Sequence, residues 1–152
     1  MIPVAEALDR LFALVAPLGT EEVPLAEAAG RVLARDVAAT RDQPPFAASA
    51  MDGYAIANPP TPGARLRVIG EAAAGRGHAG IVGPGEAVRI FTGAPVPDGA
   101  TRVVTQEDVT RDGDTITLGD RIGSGANIRP AAGDFSAGEV MAAPRRLRPA
   151  DL

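Results

Sequence analysis

Three oxygen-bearing side chains lie in turns beside predicted strand ends. Asp52 begins an Asp-Gly pair ahead of an apolar run, Thr92 follows a run that ends at Phe91, and Asp134 lies in a glycine-flanked turn. Such turns commonly line clefts, because the strands are rigid and the turn tips are open. Carboxylates supply oxygen ligands and accept hydrogen bonds from N–H groups, while a hydroxyl both donates and accepts. The sequence alone also allows each of the three simply to cap its own turn.

Several other chemistries are excluded by the residue types that the chain lacks. It has no Cys and a single His, His78, so disulfides, thiolate metal sites and a site of several His ligands within one chain are ruled out. No Lys occurs either, which removes Ser–Lys catalysis. We expect His78 to be an exposed polar residue of a glycine-rich loop.

That loop contains a literal G-x-G-x-x-G, at Gly75, Gly77 and Gly80. In dinucleotide-binding proteins this fingerprint opens a helix whose N-terminus holds a pyrophosphate. Here the segment 81–85, which contains two more glycines and a proline, follows instead and is not typical of a helix. We therefore reject a dinucleotide site at this position.

Charge and hydropathy limit the partners. The formal net charge is −4, and no basic stripe with interleaved aromatic residues is visible, so we expect no nucleic-acid partner. No apolar run approaches the roughly 20 residues that cross a bilayer. The N-terminus lacks a charged region followed by an apolar one, which argues against export. The expectation is a soluble cytoplasmic protein with no membrane partner.

The elements that must position the three side chains are mostly short strands. Residues 3–16 form the clearest predicted helix, with one apolar stripe at helical spacing that packs on a core or on a partner. Short strand-like runs separated by Gly and Pro turns follow to the end of the chain, with a hairpin signal at Asp112-Gly113. The predicted fold class is mainly β with one N-terminal helix (α+β).

The turn density suggests two lobes. Residues 46–127 are predicted to form a small β-barrel or sandwich. Residues 1–45 and 128–152 are predicted to pair into an elongated lobe built from both chain ends.

Three segments resemble the signatures of one enzyme family. The segment Ser49-Ala50-Met51-Asp52-Gly53-Tyr54-Ala55 and the segment Arg89-Ile90-Phe91-Thr92-Gly93-Ala94-Pro95-Val96-Pro97 resemble those of the molybdopterin molybdenumtransferases, the MoeA proteins and the E domain of gephyrin. Asn127-Ile128-Arg129 followed by Gly133-Asp134 resembles a third signature. The chain departs from the usual pattern at Ala48, Thr101 and Ala132, which are rim positions of these loops.

The resemblance implies a reaction and its substrates. The family inserts molybdate into adenylylated molybdopterin (molybdopterin-AMP), releases AMP, and uses a divalent cation, usually Mg²⁺. It implies a homodimer, a pterin nucleotide as small-molecule partner, and molybdopterin adenylyltransferase as a protein partner. Family members are longer, so the chain resembles their N-terminal two-lobe region only and is expected to be inactive by itself.

The resemblance also implies roles for individual residues. The catalytic group it implies is Asp52, Thr92 and Asp134. The binding group it implies is Ser49, Gly93 and Arg129. Asp52 and Asp134 are the implied metal ligands, since Mg²⁺ prefers oxygen. Gly93 is expected to leave a backbone N–H open for an anion, and Arg129 either pairs with phosphate or molybdate or forms a surface ion pair.

A hypothesis of another class remains open at this point. The chain could be a non-catalytic module that dimerises or docks a partner through the apolar face of the 3–16 helix.

Overall fold

The computed structural model describes residues 2–16, 18–57 and 59–152. The chain divides into two compact units, one formed by the residues up to Val37 together with Val140–Leu152, and the other by Ala38–Glu139. The sequence placed the two changes of lobe at residues 45 and 128. In the structure, the changes of unit lie at residues 37 and 140.

The described residues contain one α-helix and twelve strands, most of them short. The helix is α1, Val4–Phe12. The strands are β1 Val32–Leu33, β2 Val37–Ala38, β3 Ala48–Ser49, β4 Gly53–Ile56, β5 Arg65–Ala72, β6 Glu86–Ile90, β7 Arg102–Thr105, β8 Val109–Asp112, β9 Thr115–Leu118, β10 Ile128–Arg129, β11 Val140–Met141 and β12 Arg145–Arg146. Single 3₁₀ turns lie at Leu25–Glu27, Gln106–Asp108 and Pro149–Asp151. The prediction of a mainly β protein with one N-terminal helix is confirmed.

The larger unit is built on a curled six-stranded sheet that forms a half-barrel. Its strand order is β7-β4-β6-β5-β9-β8, and the pairs are antiparallel except for β5 with β6. The hairpin predicted at Asp112-Gly113 is confirmed as the turn between β8 and β9. No helix follows the glycine-rich loop after Gly80, which agrees with rejecting a dinucleotide site.

Side chains on both faces of the central strands are buried. Along β4, Ala55 joins one cluster with Val88, Ile90 and Val103. Tyr54 and Ile56 point to the opposite face and join a second cluster with other residues of the sheet. This alternation follows from the two-residue period of a strand. Since both faces are covered, β4 is held rigidly, and so is the turn that enters it.

Gly53, the first residue of β4, is required for a reason that the sequence did not suggest. In a turn, an Asp-Gly pair commonly uses glycine for a positive φ, but Gly53 is not among the residues with positive φ. A Cβ at this position would instead lie 2.0 Å from the carbonyl oxygen of Val104. Only glycine therefore lets β4 approach β7 at this point.

The smaller unit has few buried side chains. α1 is shorter than the predicted 3–16 helix because its last turn tightens: Leu14 and Val15 donate to carbonyls three residues back rather than four. No side chain of α1 is buried, and Leu11 and Phe12 are about 60% exposed, at 59% and 63%. Strands β1 and β12 pair antiparallel in this unit. The described part of the chain contains no helix with the length and apolarity that crossing a bilayer requires.

Candidate functional site

Strand register brings Asp52 and Thr92 together. β4 and β6 are antiparallel, with Gly53 opposite Ile90, so the residue before β4 lies beside the loop that follows β6. The backbone N–H and the hydroxyl of Thr92 both donate to the same oxygen, Oδ1, of Asp52, each at 2.8 Å. Two of the predicted catalytic residues, 40 positions apart, thus form one unit.

These contacts fix the charge of Asp52. The two hydrogen bonds from Thr92 hold the pKa of the Asp52 carboxyl below its ordinary value, and the nearby charge of Arg89 lowers that pKa further, while partial desolvation opposes both. Asp52 is therefore an anion at neutral pH, able to accept hydrogen bonds or to contact a cation but not to act as a general acid.

Ser49 and Gly93 hold the loop that carries Thr92. The N–H of Gly93, expected to be open for an anion, donates instead to the carbonyl of Ser49 at 2.8 Å. In return the N–H of Ser49 donates to the carbonyl of Ala94 at 3.0 Å. The Ser49 side chain is 2% exposed, and its hydroxyl donates to the carbonyl of Met51 at 2.6 Å. Both residues position the loop, and Gly93 takes the positive φ of 82° that its turn requires.

Arg129 and Asp134 form a second pair. Nη2 of Arg129 donates to both carboxylate oxygens of Asp134, at 3.0 Å each. The side chains are 59% and 48% exposed, so this ion pair contributes about 0–1 kcal/mol to stability. An ion pair this exposed is weak enough for Arg129 to exchange its partner for another anion.

Strand β3 lies between the two pairs. It pairs antiparallel with β10, with Ala48 opposite Arg129 and Ser49 opposite Ile128. On its other side, the carbonyl of Ser49 accepts from the Thr92 loop. The predicted residues thus form two pairs on either side of one buried two-residue strand, rather than one cluster.

The described side chains do not fit a shared magnesium ion. They include no group of three or more His, Cys, Asp or Glu side chains placed to hold a metal. Both oxygens of Asp134 contact a guanidinium, and Oδ1 of Asp52 accepts two hydrogen bonds. A cation bridging Asp52 and Asp134 would have to displace Arg129, so these two carboxylates do not form a ready metal site.

Arg89 is the residue of this site that sequence reasoning missed. Its guanidinium donates to the carbonyl of Gly53 at 3.1 Å and to Oε1 of Gln106 at 2.7 Å. It also lies over the rings of Tyr54 and Phe91. The one available signal was an arginine two residues before Phe91 on a predicted strand, which places both side chains on the same face.

Comparison with known proteins gives a consistent result. Residues 2–152 match the family described as MoeA N-terminal region (domain I and II). A molybdopterin molybdenumtransferase of Synechococcus elongatus is 37% identical over 163 residues, covering 100% of this chain and 40% of that protein. One of Staphylococcus aureus is 34% identical over 146 residues, covering 92% of this chain and 35% of that protein.

The fold comparison agrees. The crystal structure of the molybdopterin biosynthesis moeA protein of Pyrococcus horikoshii matches with a TM-score of 0.81 at 38% identity, covering 99% of this chain and 42% of that one. The chain thus spans about two fifths of the length of these three relatives.

Proposed function

Because the chain belongs to the family of the MoeA N-terminal region (domain I and II), we propose that it forms part of a molybdopterin molybdenumtransferase of molybdenum cofactor biosynthesis. The reaction we propose inserts molybdate into adenylylated molybdopterin and releases AMP. The relatives of this chain that are named molybdopterin molybdenumtransferase support this class of reaction. They are longer than this chain, so we propose that this chain supplies one wall of the site.

The observation that carries the proposal is the Asp52–Thr92 pair. It places an ionised carboxylate at the rigid end of β4, with Thr92 exposed beside it. Such a carboxylate accepts hydrogen bonds from the amino and ring N–H groups of a pterin. Because Thr92 holds Oδ1 before any ligand arrives, the carboxylate is oriented in advance, which lowers the entropy cost of binding.

The Arg129–Asp134 pair gives the same wall a place for an oxyanion. In the proposal, Arg129 exchanges Asp134 for oxygens of phosphate or molybdate, since a guanidinium forms bidentate hydrogen bonds with such groups. Asp134 then becomes available to the substrate. Ser49 and Gly93 serve by holding the Thr92 loop in place.

The remaining expectations are part of this proposal. They are a requirement for Mg²⁺, a homodimer, molybdopterin adenylyltransferase as a protein partner, and a cytoplasmic location. The exposed apolar residues of α1 support an interface on that helix, because large contiguous apolar patches are uncommon on the surface of monomers.

The test is a pair of carboxylate variants in the native protein, assayed for molybdenum insertion. Asp52→Asn should leave the circular dichroism spectrum unchanged but lower the insertion rate roughly a hundredfold or more, since the charge that meets the substrate is removed. Glu86→Gln is the matched control, because Glu86 also caps a loop N–H and pairs with an arginine of the same sheet. It should leave insertion unchanged.

A normal insertion rate in Asp52→Asn would remove Asp52 from the site. Together with an assembly that depends on the apolar residues of α1, it would favour the second candidate function, a non-catalytic dimerisation or docking module.

A further inference from the structure

The guanidinium of Arg89 ties together the backbone on which the Asp52 carboxylate stands. We propose that Arg89 is a positioning residue for Asp52, because it fixes the turn that enters β4. The proposal rests on the proposed function for its catalytic consequence, but its structural part does not depend on that function.

The first line of support is the hydrogen bonding of Arg89. One nitrogen, Nη1, donates to the carbonyl of Gly53, the residue next to Asp52. The other, Nη2, donates to the Gln106 side chain, and the Gln106 N–H donates to the carbonyl of Asp52 at 3.1 Å. The peptide groups on both sides of Gly53 are therefore linked to one planar guanidinium, directly or through Gln106.

The second line is the aromatic environment of the guanidinium. Its central carbon lies 4.6 Å from the ring centre of Phe91 and 5.2 Å from that of Tyr54. Tyr54 is 4% exposed, so its ring is held by the core beneath. A cation over an aromatic face is attracted by the ring quadrupole, which favours arginine over lysine at this position because arginine is planar.

The position of Arg89 in the sheet supports the same role. Arg89 stands opposite Tyr54 in the β4–β6 pair, while Gly53 pairs with both β6 and β7. A single side chain of β6 thus links β4 with the turn that follows β7. Gly53 has no side chain of its own to hold the turn, so the bond from Arg89 to its carbonyl is one of the contacts that fix it.

The geometry separates this role from two simpler ones. Both terminal nitrogens of Arg89 already donate to protein oxygens, so it is not arranged as the primary contact for a substrate anion. A simple cross-strand contact would need only one of these bonds, whereas the two together reach the carbonyls of Gly53 and Asp52, one directly and one through Gln106.

The test uses Arg89→Gln and Arg89→Lys in the native protein, with Arg67→Gln as the matched control. Arg67 pairs with Glu86 on the same sheet, away from Asp52. Hydrogen exchange of the peptide that contains residues 52–54 reports how firmly the turn is held, and kcat and KM for insertion are measured separately. A thermal melt shows that each variant is folded.

Arg89→Gln should speed exchange in this peptide, and Arg89→Lys, which keeps the charge but not the planar guanidinium, should speed it nearly as much. Both should lower kcat/KM for insertion roughly ten- to a hundredfold, since lysine does not replace the two-pronged support. Arg67→Gln should change neither quantity.

Unchanged exchange in the 52–54 peptide together with an unchanged insertion rate in folded Arg89→Gln would overturn the proposal, as would an equal change in Arg67→Gln. These results are distinguishable from failure of the proposed function. In that case exchange in the 52–54 peptide still speeds up in Arg89→Gln, but Asp52→Asn itself inserts molybdenum normally.

Discussion

The two ends of the six-stranded sheet hold the same local arrangement and use it differently. At one end Asp52 accepts from the N–H of Thr92; at the other Glu86 accepts from the N–H of Gly83 at 3.2 Å. Each carboxyl has a pKa below its ordinary value, first because of the backbone hydrogen bond. Capping and charge state therefore do not distinguish the two ends.

The arginines do distinguish them. Arg67 contacts the Glu86 carboxylate directly, with Nη2 2.9 Å from Oε1, beside a cavity of about 100 Å³ lined mostly by apolar residues. Arg89 instead bonds to the backbone and to an amide beside Asp52. The carboxylate of Glu86 thus takes part in an ion pair, whereas Arg89 holds the backbone next to Asp52. A lowered carboxyl pKa therefore indicates a functional site here only when the arrangement of the neighbouring side chains points to one as well.

Glycine substitutions at the two ends of the sheet should give the largest difference in the free energy of unfolding. Gly53→Ala should lower the free energy of unfolding by about 3 kcal/mol or more, because the new Cβ would meet the Val104 carbonyl at 2.0 Å. Gly85→Ala, at φ 79° with nothing within 4 Å of the new Cβ, should cost about 1–2 kcal/mol from backbone strain alone. Urea unfolding measures both. Equal losses would show that the Asp52 turn is not held by a close approach of β4 to β7.

A smaller effect is expected from pH, and it should be shared by both ends. The ordinary carboxyl pKa is 3.8 for Asp and 4.5 for Glu, and the folded-state pKa values of Asp52 and Glu86 lie below these. The stabilisation is therefore fully present above those values and is lost as the pH falls through the folded pKa. Asp52→Asn and Glu86→Gln should both be less stable than the unchanged protein near neutral pH, and the differences should shrink as the pH falls below the ordinary carboxyl pKa values. The measurement is the urea midpoint across this range.

If only Asp52→Asn showed this convergence, the two carboxylates would not be equivalent in the folded state, and the comparison would rest on charge rather than on arrangement.

The sequence predicted which residues belong to the candidate site, but not the contacts that they make. Asp52, Thr92 and Asp134 were predicted from turn type and family resemblance. The hydrogen bonds between Asp52 and Thr92 depend on the register of strands 40 residues apart, which local pattern does not set. Arg129 and Asp134, by contrast, are five residues apart, and their pairing depends on the turn after β10 rather than on strand register.

Other features were missed because they depend on contacts rather than composition. Gly53 is needed for a close approach to β7, not for φ, and the N–H of Gly93 is used within the loop. Arg89 has partners on neighbouring strands and in the turn after β7, so no local pattern identifies it. For the fold, the spacing of apolar residues and the turn residues predicted the strands and α1, because these patterns are local in the sequence. They did not predict where α1 ends, which is decided by a tightened last turn.

The most direct test is hydrogen exchange of the native protein with and without adenylylated molybdopterin, followed by mass spectrometry. Substrate should slow exchange in segments 49–53, 91–94 and 127–134, which carry the Asp52–Thr92 and Arg129–Asp134 pairs. It should leave segments 83–86 and 115–118 at the opposite end unchanged. Protection confined to the Glu86 end, or absent from the three loops while substrate is bound, would contradict the placement of the site.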